Sequence, residues 1–195
     1  FGSDSPYRTV VRVGQTATAL YVAFEAFDPE PERLAAAVTA RDGNLGDDDS
    51  VAVALDSFGD NRTAYAFRTN ALATQQDARI ADNGAVIDGQ WDAAWRTAAQ
   101  RYDDRWVAEF EIPFEILRYS TGSDVSWGVN FVRTIPRRLE TSMWSEPGEA
   151  IWRISRFGDL NGIELEPQEA GGWEFIPYAL AVLEEDKDYF RMNNY

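Results

Sequence analysis

Apolar and polar residues alternate with a period of two through most of the chain. In LYVAFEAF, Leu20, Val22, Phe24 and Ala26 share one face, with Tyr21, Ala23, Glu25 and Phe27 on the other. SVAVALD aligns Val51, Val53 and Leu55, and AYAFRTN sets Tyr65, Phe67 and Thr69 against Ala66, Arg68 and Asn70. WVAEFEI gathers Trp106, Ala108, Phe110 and Ile112, while WGVNFVRTI gathers Trp127, Val129, Phe131, Arg133 and Ile135. This apolar-in, polar-out pattern belongs to antiparallel strands covered on one side. The clusters RDGNLGDDD, FGDNR, ADNGAVIDG, YDDR and STGSD mark turns between them. Helical signals are brief. PERLAAAV predicts two turns after Pro29 and Pro31, although its Val-Thr end equally continues as a strand; PFEILRY predicts a single turn after Pro113.

Many strands with few helices predict an all-β fold, a two-sheet antiparallel β-sandwich of immunoglobulin-like or jelly-roll type with one or two short helical turns. RFGDLNGIEL reads as a closing strand with its turn. A soft boundary near residue 168 then separates a sandwich domain (1–168) from a C-terminal extension (169–195). In that extension GGWEFIPYALAVLEEDKDYF begins a new alternating segment, expected to leave the sandwich toward a following domain.

Composition narrows the chemistry. The chain has 195 residues, 45% of them hydrophobic, enough for a real core. Lys and Arg number 18 against 33 Asp and Glu, a net charge of −15 that repels phosphate backbones and argues against nucleic acid as a partner. There is no Cys and no His, which excludes thiol catalysis, Cys/His zinc sites, His-ligated haem and a Ser-His-Asp triad. Haem is disfavoured further because no His exists to partner Met143 or Met192. No apolar run is long enough to cross a bilayer as a helix. FGSDSPYRTV lacks the basic start and apolar middle of a signal peptide, and Phe1 in place of Met reads as a processed or excised fragment.

Four constellations remain. The Asp-rich turns, with Asp28 ending one strand and Asp47, Asp48 and Asp49 preceding another, offer the oxygens that calcium prefers, without EF-hand spacing; ordinary solvated loops explain them too. Arg68 and Asn70 suit sugar hydroxyls if their face is concave, and otherwise serve as cross-strand partners. Trp106 and Trp127 lie in register with the core. Trp91, Trp144, Trp152 and Trp173 sit near strand ends, where an indole face can stack on a sugar ring or simply pack. Arg133, Arg137, Arg138 and Glu140 read as a carboxylate-binding or docking patch, or as an internal salt-bridge network.

Taken together, LYVAFEAFDPEP, DDDSVAVALDSFGDNRTAYAFRTN, WDAAWRTAA, RWVAEFEIPFEILRY, SWGVNFVRTIPRR and SRFGDLNGI resemble the family 9 carbohydrate-binding modules, over residues 8 to 165. The resemblance is to the subset at the N-terminal end of bacterial outer-membrane proteins that carry a C-terminal β-barrel-like domain of unknown function. It implies an exported Gram-negative protein at the periplasm or cell surface, and makes WEFIPYALAV the lead-in to an attached barrel. It implies a non-catalytic module that binds an oligosaccharide or polysaccharide end through an aromatic face plus Arg. Residue by residue, Arg68 falls on the family's ligand-contacting Arg, Trp152 on one tryptophan of its sugar clamp, and Asp28 and Asp49 on structural calcium ligands. The other clamp tryptophan falls on Gly46 and a contacting Glu on Ala52, so half the clamp is missing. The alternatives are a docking domain for a barrel or partner protein that has lost sugar binding, and glycoside hydrolysis, which needs two facing carboxylates.

Overall fold

The structure, a computed structural model, describes residues 7–119, 126–146, 148, 150–165 and the backbone of 176–183. Its strands are β1 Thr9–Gln15, β2 Ala19–Phe27, β3 Ser50–Asp56, β4 Ala64–Asn70, β5 Gln75–Ala81, β6 Val86–Asp88, β7 Arg96–Arg101, β8 Arg105–Pro113, β9 Ser126–Ile135, β10 Glu140–Met143, β11 Gly158–Asn161 and β12 Ile176–Leu183. They form two antiparallel sheets. One runs β12-β1-β2-β8-β7; the other runs β10-β9-β3-β4-β5-β6, with β11 also paired to β9. The fold is the expected all-β sandwich. Helical structure among the described residues is confined to short 3-10 turns, including Phe114–Ile116 where PFEILRY predicts one. Backbone from beyond residue 168 joins the first sheet, because β12 pairs with β1 from Thr9↔Leu183 to Gln15↔Ile176. Trp173 and Met192 lie outside the described residues.

The period-two faces named in the sequence meet in one core. Leu20, Val22 and Phe24 of β2 and Ala108, Phe110 and Ile112 of β8 pack with Val51, Val53, Leu55, Phe67 and Phe131 from the other sheet. Aromatic rings pack within and between the layers. Phe24 lies 5.5 Å from Phe110 and 6.0 Å from Phe131, and Trp95 stacks on Phe110 at 5.5 Å with planes 5° apart.

Two expectations fail for identifiable reasons. PERLAAAV makes only a 3-10 turn at Pro31–Arg33. Beyond it the backbone N–H groups of Ala35, Ala37 and Val38 go to the carboxylates of Asp49 and Asp48 at 2.7–3.0 Å, so no helical ladder forms. The outer face of the second sheet is also covered at its centre and does not face solvent there. Ala52, Ala54, Asn130 and Val132 are buried, because the segment after β10 folds back over them with Ile151, Trp152, Ile154 and Phe157.

Carboxylates organise the loops by accepting backbone N–H groups. In the turn LDSFGDNRTAYAFRTN, Asp56 accepts from Gly59 at 2.7 Å and Asn61 at 2.8 Å, and Asp60 accepts from Arg62 and Thr63 at 2.7 Å. Burial pushes the carboxyl groups of Asp49, Asp56 and Asp77 up from their ordinary value. For Asp48 and Asp60 burial acts the same way, but the hydrogen bonds they accept outweigh it and their values lie below normal.

The sign for stability follows. With raised values, these three groups hold protons in the folded chain at pH values where the unfolded chain has released them, so their contribution to stability rises as pH falls toward the ordinary carboxylate range near ~4. Relief of self-repulsion at net charge −15 acts in the same direction. The stability that Asp48 and Asp60 add above the ordinary range is lost only as pH falls on through their lowered values. Urea denaturation is therefore expected to give a higher midpoint at about pH 5 than at about pH 7.5; a lower midpoint at pH 5 contradicts this assignment.

Candidate functional site

On the outer face of the second sheet, the part left uncovered forms a groove of about 280 Å³. Small side chains make this possible. Ala66 on β4 and Ala78 on β5 line the floor, with Ile80 beside them and Ile87 of β6 at the rim, 56% exposed. Trp152 closes one side, packed against the cluster of Ala54, Ala64, Ala66, Ile80 and Ile154. Polar groups come from Arg68, Gln76, Asp42 and Asp77.

Each polar group is held in place. Arg68 donates from Nε and Nη2 to the Ser50 hydroxyl at 3.0 and 2.8 Å, and from Nη2 to the Leu45 carbonyl at 3.0 Å. Its Nη1 makes no hydrogen bond among the described residues. Burial lowers the Arg68 pKa from its ordinary value, opposed by the charge of Asp48. Gln76 donates to the Gly43 carbonyl at 3.0 Å. An apolar floor with an indole wall and a few fixed polar groups is the chemistry of a small-ligand site.

Trp152 is positioned by the turn ADNGAVIDG, read from sequence only as punctuation. Asn83 and Ser155 exchange two hydrogen bonds, Asn83 Nδ2 to Ser155 Oγ at 3.1 Å and Ser155 N to Asn83 Oδ1 at 2.8 Å. Gly84 has φ +95°, and a Cβ there would stand 2.4 Å from the Trp152 carbonyl oxygen. Only glycine fits that position. The Asn-Gly pair was the signal available in the sequence, but its distant partner was not.

The other candidates separate clearly. Asn70 is fully buried and takes no part in the groove. Its Nδ2 donates to the Val38 carbonyl at 2.8 Å and to Asp48 at 2.7 Å, and its Oδ1 accepts from Leu72 and Thr74 at 2.9 and 3.0 Å, so its amide is spent on the loops around it. This corrects its assignment as a ligand contact. Trp91 packs on Tyr65 at 4.9 Å, and Trp144 packs on Phe131 at 5.7 Å. Trp106 and Trp127 are buried in the core as expected. Gly46 is exposed beside Leu45, whose carbonyl holds Arg68, while Ala52 lies buried with Val132 and Met143 against Trp152.

Asp28 and Asp49 do come together, and both close on Arg137. Arg137 Nη2 reaches the two oxygens of Asp28 at 2.7 and 2.6 Å, and Nη1 reaches Asp49 at 3.3 Å. Arg138 pairs with Glu140 at 2.9 Å. The basic segment is thus the internal salt-bridge network. A second acidic group, Asp42, Asp77 and Asp92, is bridged in the same way by Arg41. Asp77 also accepts from Ala93 N at 2.7 Å and Trp95 Nε1 at 3.2 Å, which fixes its carboxylate inside the fold.

If the Gly84 contact sets the position of Trp152, Gly84→Ala is expected to loosen the segment 150–157. Hydrogen exchange should quicken at the amides of Arg153, Arg156 and Phe157, which are bonded at 3.0 Å within that segment. Unchanged protection at these three amides contradicts the role given to Gly84.

No family model and no curated protein matches the chain. Solved structures do. A candidate carbohydrate-binding protein from Bacteroides uniformis superposes with a TM-score of 0.59 at 14% identity, covering 74% of this chain and 73% of that one. A family 9 carbohydrate-binding module from Caldicellulosiruptor kristjanssonii in complex with cellotriose gives 0.57 at 17% identity, covering 82% and 80%. The same organism's module in complex with glucose gives 0.53 at 17%, covering 80% and 76%. This chain has the β-sandwich fold of the family 9 carbohydrate-binding modules.

Proposed function

We propose that the groove binds carbohydrate, with the Trp152 indole facing the C–H surface of a sugar ring and Arg68 donating to its hydroxyls. The observation that carries this reading is the convergence of Arg68 and Trp152, 84 positions apart in sequence, on one groove with an alanine floor. The complexes of similarly folded modules with cellotriose and glucose support sugar as the ligand class.

Binding without cleavage fits the lining. Glycoside hydrolysis needs two carboxylates facing the scissile bond. Of the two acids at this groove, Asp77 is committed to Arg41, Ala93 and Trp95, and Asp42 pairs with Arg41 at 3.4 Å. With Gly46 and Ala52 at the remaining family positions, one aromatic face acts alone, and affinity is expected near the millimolar range, about −4 kcal/mol.

Titration calorimetry with cellotriose and glucose tests the reading on the folded domain, alongside Trp152→Ala and Arg68→Gln. Saturable heat is expected, weakened about tenfold or more by each substitution, equivalent to roughly 1.4 kcal/mol. No heat with either sugar, or binding indifferent to both substitutions, removes this groove as a site for these sugars.

A further inference from the structure

We infer that Arg137 is the resident cation of the Asp28–Asp49 site, so that this domain is held together there by a guanidinium and needs no calcium. The resemblance implies calcium at these two aspartates, and the donor set does not fit it. Calcium takes roughly six to eight oxygens from carboxylates, carbonyls and water. Here each carboxylate oxygen of the pair already accepts an N–H. Asp28 Oδ1 and Oδ2 accept from Arg137 Nη2, and Oδ1 also accepts from Glu30 N at 2.9 Å. Asp49 Oδ1 accepts from Arg137 Nη1, and Oδ2 from Ala35 N at 2.7 Å.

The neighbouring carbonyls are committed as well. Arg133 Nη1 donates to the carbonyls of Tyr7 at 2.7 Å and Arg8 at 3.3 Å, and Nη2 to Phe27 at 2.9 Å. Two guanidinium groups thus take both classes of oxygen that a calcium shell draws on. A dication placed among them would face two positive charges at close range.

Arg137 also performs the mechanical work of a structural ion. Asp28 follows β2 of the first sheet, Asp49 precedes β3 of the second, and Arg137 follows β9. One side chain therefore ties three strand ends across the two sheets. It is enclosed: the side chains of Asp28, Asp49 and Arg137 are 0%, 1% and 11% exposed, and the Tyr7 ring lies 5.7 Å from the guanidinium carbon. Burial works against the Arg137 charge, but its hydrogen bond to Asp28 and the charges of Asp28 and Asp49 outweigh it and raise its pKa, so the cation persists across the accessible pH range.

Thermal unfolding of the 195-residue chain in millimolar calcium chloride and in EDTA tests this without any sugar, so its outcome is separate from that of the groove. The wild-type midpoint is expected to be the same in both. A ligand present at about 100 times its Kd would raise it by roughly 5 to 10 °C. A calcium-dependent rise of that size that Asp28→Asn abolishes overturns the inference; a rise that Asp28→Asn leaves intact places calcium elsewhere and the inference stands. Arg137→Gln is expected to lower the midpoint in EDTA, and an unchanged midpoint overturns the inference. Should that variant fail to fold in EDTA, the wild-type comparison still decides.

Discussion

One end of the sandwich is closed by charge. Arg133 sits in the row of β9 that also carries Trp127, Val129 and Phe131, where an apolar residue would be the simple choice. It is 1% exposed and reaches across to the hydroxyl of Thr9 on β1 and the carbonyl of Phe27 on β2. Burial pushes its pKa down to about 10, still well above neutrality, so it stays cationic. A buried charge is costly unless its donors are met; four acceptors meet the two Nη groups here, while the buried Nε has no partner among the described residues. Arg137, three residues on, then joins Asp28 to Asp49. The spacing between the sheets at this end follows from two guanidinium forks, and the loops that carry Asp28, Asp48 and Asp49 are fastened to the same structure.

The acidity of the chain takes on a different meaning in this light. Many of its aspartates turn back on the chain itself, toward backbone N–H groups and arginines. Asp56 and Asp60 shape the β3–β4 turn, Asp48 fixes the segment after the 3-10 turn, and Asp77 anchors Trp95 with Arg41. Acidic runs that suggest metal loops are here loop staples. The groove lies where this stapling leaves the alanine-rich face of the second sheet open, and its indole wall is placed by a glycine that tolerates the Trp152 carbonyl against it.

The fold was legible in the residues. Period two in β2, β3, β8 and β9 identifies the inward faces correctly, because side chains on a pleated strand must alternate and only one sheet face meets the opposing layer. The outer face of β3 was not legible, since its cover comes from residues about a hundred positions away. PERLAAAV misled for a related reason: local helix preference yields when carboxylates elsewhere take the N–H groups that a helix would use. Tryptophan was ambiguous throughout. Trp91, Trp144 and Trp152 all stand beside small or polar residues, and packing alone sends two into the aromatic core and one to the groove.

By itself, then, the sequence determined the class of fold, the strands β2, β3, β4, β8 and β9 with their inward faces, and the narrow chemistry of a chain without Cys or His. Those properties are local or compositional, and each is set by a few adjacent residues. Only the tertiary structure decided which charges neutralise one another. That Arg137 answers Asp28 and Asp49, that Asn70 is consumed by its own loops, and that Arg68 and Trp152 share a groove are all consequences of distances between residues far apart in the chain. Those distances are fixed by how the strands pair and how the two sheets pack, which no single stretch of sequence contains.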